Sequence, residues 1–161
     1  MSVRGVVAVA LAGLTLCSLS LAACAPKLPK GVDDANLTLA VGRAIGGPNT
    51  CVEIANDKGQ RVWRGGGYIG CARPLPACDG TTTTADAALK AAVGKPAHFA
   101  SCPSGSDVPG ATVGWAMGPV PTGAGQPDRH LTYVAMMEGD RALPGVEIQD
   151  RVEHAFKKAG L

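Results

Sequence analysis

Aromatic side chains are scarce in this chain, with two Trp, two Tyr and two Phe among 161 residues. So few large anchors imply a modest core and long ordered loops, where the 22 Gly and 12 Pro collect. An excess of one charge is missing too: 15 Lys and Arg face 13 Asp and Glu. That near-balance excludes the basic footprint of a nucleic-acid binder. No nucleophile elbow, phosphate loop, paired-His metal motif or calcium loop is present. The cysteines contain no C-x2-C pair, which argues against a zinc knuckle and against the usual thiol-redox motif. Gly42-x-x-x-Gly46-Gly47 falls at the wrong end of a helix for phosphate and reads as a packing face and a helix stop. The longest apolar run, Val6 to Leu21, is about 16 residues, where a spanning helix needs roughly 20.

That run has instead the anatomy of a secretory signal. Arg4 precedes it, Thr15, Ser18 and Ser20 interrupt it, and Leu21-Ala22-Ala23-Cys24 closes it. These last four residues resemble the lipobox of bacterial lipoproteins. The resemblance implies cleavage before Cys24, a thioether-linked diacylglycerol on its sulfur, and a further acyl chain, palmitate or similar, on the new amino terminus. One chain anchors marginally and two or three anchor durably, at ~0.8 kcal/mol per buried methylene. Ala25 stands after the cysteine where an Asp would retain the protein at the inner membrane. By the same resemblance the chain is expected on the outer membrane facing the periplasm, with the outer leaflet of the cytoplasmic membrane as the alternative. The expected organisation is a signal peptide over 1–23, a lipidated tether over 24–32 and one small domain over 33–161. Pro26 and Pro29 keep the tether extended, and its Lys27 and Lys30 read as solvated.

Cys17 leaves with the signal and Cys24 carries lipid, so four cysteines remain: Cys51, Cys71, Cys78 and Cys102. An even number in an exported domain predicts two disulfides. Three pairings are open. One of them closes the short loop Cys71–Cys78 on itself and leaves Cys51 with Cys102.

Periodicity places the elements. Asp33 or Asp34 caps a helix through Ile45, with Leu37, Val41, Ala44 and Ile45 at helical spacing. Cys51–Ala55 and Gln60–Arg64 are strands joined by the turn Asn56-Asp57-Lys58-Gly59. Thr83 and Asp86 have capping-box spacing ahead of an Ala-rich helix to Val93. Three more strands follow, over Ala97–Cys102, Ala111–Met117 and Arg129–Met137. The last two alternate, with Val113 and Trp115 on one face of the first and Leu131, Tyr133 and Ala135 inward on the second. A final helix over about 146–159 carries Ile148, Val152, Ala155 and Phe156 on one stripe. Its polar side has three i,i+4 pairs with the acid first: Glu147–Arg151, Asp150–His154 and Glu153–Lys157. The predicted class is α+β in the order αββαβββα, an antiparallel sheet of about five strands flanked by helices.

That order resembles the roadblock/profilin-like group of five-stranded sheets. The stretches Val52–Val62 and Leu89–Pro96 are similar to a strand-turn-strand and an Ala-rich helix in the haem-binding domain of glycolate-utilisation operons. The first resemblance implies a sensor or scaffold, the second a small-molecule site.

Candidate residues for function are few. Arg61, Trp63, Arg64, Tyr68 and Arg73 cluster around the Gly65-Gly66-Gly67 break, and Arg and aromatics are enriched at binding hot spots. They form the expected binding surface, against the simpler reading that Trp63 is core and the arginines are surface charges. His98 and His130 are weaker ligand candidates, able to share a metal or haem only if their strands adjoin. His154 reads as solvated. No catalytic residue, cofactor or metal is expected. The expected protein is a non-enzymatic envelope lipoprotein held to membrane lipid through Cys24 and bound to an envelope protein. A haem or other small-molecule sensor is the alternative.

Overall fold

The structure, a computed structural model, describes residues 26–123 and 125–161, without the side chains of Tyr68 and Ile69. The signal peptide and Cys24 lie outside the described residues. Helix α1, Asp34–Ile45, starts where Asp33 accepts a hydrogen bond from the Asn36 amide at 2.8 Å, a side-chain cap for an otherwise orphan donor. Strands β1, Thr50–Ala55, and β2, Arg61–Gly66, form the expected hairpin. Gly59 takes φ +70° in its turn, and the Asn56 side chain receives the Lys58 and Gln60 amides.

Helix α3, Ala85–Ala92, is capped by Thr84 rather than Thr83: its hydroxyl accepts from the Ala87 amide at 3.2 Å. Strands β5, His98–Pro103, β6, Thr112–Pro119, and β7, Thr132–Gly139, follow, and helix α4, Gly145–Lys158, closes the chain. Between β2 and α3 lie three elements absent from the sequence reading. They are the short helix α2, Tyr68–Ala72, and the two-residue strands β3, Leu75–Pro76, and β4, Thr82–Thr83.

The main sheet has the order β2-β1-β7-β6-β5 and is antiparallel throughout. It is covered on both faces, so the molecule has three layers and two cores. On one face α1 and α4 bring Leu37, Val41, Ile45, Ile148, Val152 and Phe156 onto Val52, Ile54, Tyr133 and Ala135. On the other face α3 and the α2–β3–β4 segment bring Leu75, Ala85, Ala88 and Leu89 onto Val113, Trp115, Val134 and Met136. The alternation read along β6 and β7 is therefore correct in phase, yet neither strand has a polar face. Leu131, Tyr133 and Ala135 enter the first core, and Val134 and Met136 enter the second.

Among the glycines that permit close approaches, Gly145 and Gly67 seat whole elements. A Cβ on Gly145, the first residue of α4, would overlap the carbonyl oxygens of Ala100 and Trp115. The bare backbone lets the helix seat directly on β5 and β6, where the Gly145 amide donates to the Ser101 hydroxyl at 2.8 Å. A Cβ on Gly67 would overlap the Pro48 carbonyl oxygen. Its amide instead donates to the Thr50 oxygen at 2.7 Å and ends β2 against β1.

The bridges are Cys51–Cys71 and Cys78–Cys102. Two disulfides form from the four expected cysteines, and the short Cys71–Cys78 ring does not. Cys71 is carried inward by α2 onto β1, whereas Cys78 sits in the β3–β4 turn with φ +68° and reaches β5. Both bridges fasten the second covering layer to the sheet.

Candidate functional site

Glu53 stands on β1 facing the α3 layer and is wholly buried. An ionised carboxylate in such a place demands charged partners. The strand pairing supplies them: Arg64 is the cross-strand neighbour of Glu53, and Arg61 lies one bulge further along β2. Arg64 Nε donates to Glu53 Oε1 at 2.6 Å and Arg61 Nη1 donates to the same oxygen at 3.1 Å. Glu53 Oε2 is buried with no hydrogen-bond donor. Arg61 also reaches Asp86 at 3.3 Å, and Asp86 pairs with Lys90 one helical turn on at 2.6 Å. The hydrogen bond from Lys90 holds the Asp86 carboxyl below the usual range; desolvation opposes it, and the fields of Lys90, Arg61 and Arg64 add to it. The charges thus run from the sheet interior to the surface of α3.

Arg73, just after α2, forms an ion pair with Glu138 on β7, whose side chain is only 6% exposed. This pair ties the same covering layer to the middle of the sheet.

The five residues expected to make one binding surface are therefore divided. Trp63 is core, 5% exposed, and packs with the α1/α4 layer. Arg61, Arg64 and Arg73 turn to the opposite face and meet carboxylates there. The Tyr68 side chain lies outside the described residues. Trp63 and the three arginines, near one another in sequence, lie on opposite faces of the sheet.

His98 and His130 are both exposed and are not neighbours. His98 lies on the edge strand β5 opposite Met117, which pairs with Val134 on β7. His130 precedes β7, at φ +51°, with its amide donating to Asp128. At about 4.8 Å per strand and about 3.3 Å per residue the two sit on the order of 15 Å apart. They make no shared ligand site.

Among the described residues, one trio of metal-type donors falls within 4.8 Å: Cys51, Glu53 and Cys71. The two sulfurs are bonded to each other and the carboxylate is occupied by two guanidinium groups. The trio is a structural junction, not a cation site.

Comparison of the chain with family models, with curated proteins and with solved structures returns no match. The site must be read from its own chemistry.

Tyr133 is the most strongly perturbed group described. Its hydroxyl donates to Glu153 Oε1 at 3.0 Å, and its ring meets Phe156 edge-on at 5.3 Å. Burial first, and the Glu153 charge second, push the phenol well above its ordinary value near 10. A folded state that keeps this proton gives stability in full below about pH 10 and loses it as pH rises toward the folded value. The stability of the wild type should fall above pH 10 by up to about 1.4 kcal/mol per pH unit from this group. Tyr133→Phe should remove that share of the slope while lowering stability at neutral pH by about 1 kcal/mol. Urea midpoints at several alkaline pH values would measure both.

The largest concavity described lies elsewhere, between α1 and α4. It holds about 600 Å3 and has Leu39, Ala40, Arg43, Arg151, His154 and Lys158 along its walls. Sequence reading placed His154 in solvent beside Asp150 and missed the groove. The only signal was that Leu39 falls off the inward stripe of α1, and it is 51% exposed. Of the three helical pairs expected on α4, Glu147–Arg151 closes at 2.7 Å, while Glu153 turns to Tyr133 and Gln149.

Proposed function

We propose that this chain is a bacterial envelope lipoprotein, anchored through lipid on Cys24, whose folded body is a non-enzymatic structural or protein-binding module. The observation that carries the reading is the tetrad Leu21-Ala22-Ala23-Cys24 at the end of a short apolar run behind a basic residue. The body's construction supports it. Its four cysteines are closed in two bridges, as suits an oxidising space. No helix among the described residues is long and apolar enough to cross a membrane. The guanidinium groups and thiols that suggest chemistry in the sequence are engaged within the fold, which favours a rigid module over a catalyst. The haem-sensor alternative drew on His98 and His130, and their separation leaves it without a ligand pair.

Cys24→Ser is the deciding variant. The native chain extracted from membranes should begin at Cys24 and carry the mass of a diacylglycerol and an acyl chain. The variant should lose that mass, keep its leader and shift out of the lipid-modified fraction. Recovery of native protein with an unmodified amino-terminal peptide would end the reading.

A further inference from the structure

We infer that the groove between α1 and α4 is a docking surface for the acidic headgroups of a phospholipid bilayer, so that the body lies on its membrane by this face. The inference rests on the Cys24 anchor proposed above and adds an orientation to it.

The helices are antiparallel neighbours. Arg151 near the middle of α4 donates to the Ala44 carbonyl at the end of α1, at 3.5 Å, and Lys158 shares the groove's far end with Asn36. The floor is apolar, from Ala40 and Ala155, and half-exposed Leu39 stands at the mouth. Arg43, Arg151 and Lys158 line the walls with His154, and no carboxylate does. Glu147 pairs with Arg151 from beyond the lining residues. Apolar floor plus cationic rim is the composition that takes up an acidic lipid interface. Arg43 and Lys158 have no acidic partner among the described ion pairs.

The path of the chain selects a membrane over another acidic partner. Leu28 and Val32 pack against the core beneath α1 and α4. Four residues, Cys24 to Lys27, precede the first packed side chain, a span of about 14 Å at most when fully extended. That is the largest gap the lead allows, under two Debye lengths of about 8 Å at physiological salt. The chain enters α1 at the Asn36–Lys158 end of the groove, where Lys27 and Lys30 balance Asp33 and Asp34 and leave Lys158 and Arg43 to set the sign of the groove. A body on so short a lead is free to bring this face within a Debye length of the phosphates.

Every core residue and both disulfides lie within residues 37–161, so a chain beginning at Ala25 keeps the whole fold. Such a chain, with an amino-terminal His-tag on vesicles bearing nickel-chelating lipid, reproduces the anchored geometry. Untagged protein with the same vesicles isolates the groove. In flotation at low salt the untagged body should associate with vesicles of phosphatidylglycerol and phosphatidylethanolamine in equal parts about tenfold more than with pure phosphatidylcholine, and release at high salt. Arg43→Glu with Lys158→Glu should reduce that association by about tenfold, and Leu39→Asp by a smaller factor. Lys58→Glu with Lys95→Glu, an equal change of charge away from the groove, should leave most of it. On the tagged vesicles a fluorophore at position 39 should be quenched by brominated lipid chains in the unsubstituted groove and not in the Arg43/Lys158 variant. Equal association with both lipids, or equal loss in the two charge-swapped variants, would overturn the inference. So would variants that release a protein from native membranes while floating normally. Mass spectrometry of Cys24 decides the anchor separately, so groove and anchor fail independently.

Discussion

Replacing all four bridged cysteines by alanine is expected to unfold the domain under conditions where the native chain is fully folded. The bonds join residues 20 and 24 apart in sequence. Loop-closure entropy assigns about 3 kcal/mol to each. A domain of this size has about 5–15 kcal/mol of net stability, so losing both removes a large part of it. The bridges also act where other cohesion is thin. The α2–β3–β4 segment has one two-stranded ribbon, few apolar residues and a backbone strained at Cys78, with φ +68°. Without its bonds it keeps the Arg73–Glu138 pair, the Leu75 contact and the Trp115 indole donating to the Pro76 carbonyl at 2.7 Å. Each single bridge removed should lower stability by about 3 kcal/mol. Cys51–Cys71 should be the costlier, since both of its residues are buried and their loss also opens a void. Trp63 and Trp115, both buried, report unfolding in urea by fluorescence. A change under about 1 kcal/mol on removing either bridge would contradict the entropic account.

Arg64→Met should cost about 3 kcal/mol, because it strands the Glu53 carboxylate in the interior with only the half-exposed Arg61 to answer it. The companion double variant, Glu53→Leu with Arg64→Met, should recover most of that loss, since the cost lies in an unpaired buried charge rather than in a missing contact. Urea midpoints for the single and double variants measure the coupling. A double variant as unstable as Arg64→Met would mean that Arg64 acts mainly through packing of its stem.

Long elements were legible because their apolar spacing repeats for several turns or pleats. Leu37, Val41 and Ile45 announce α1, and Ile148, Val152 and Phe156 announce α4; both stripes are buried as expected. The Asn56–Gly59 turn marks the hairpin. What the pattern concealed is what depends on distant partners. Helix α2 and strands β3 and β4 total nine residues and are held by bonds to β1, β5 and Trp115. Nothing local specifies them, and nothing local chooses the disulfide pairing. The Arg and aromatic cluster looked like a binding surface because its residue types are those of hot spots. Glu53 and Glu138, on strands near and far in sequence, supply the interior roles that composition cannot reveal. The groove was hidden for the same reason: Arg43 and Lys158 converge only once α1 and α4 lie side by side.

The position of β7 between β1 and β6 has a consequence for how the molecule is assembled. Thr50 pairs with Met137, so the early hairpin and the late meander stay separate rafts until the penultimate element arrives to join them. A chain cut before Thr132 therefore yields two unjoined hairpins with open edges, not a smaller version of the domain. Closure across so long a stretch makes the transition slow, since distant ends must meet before their contacts repay the search.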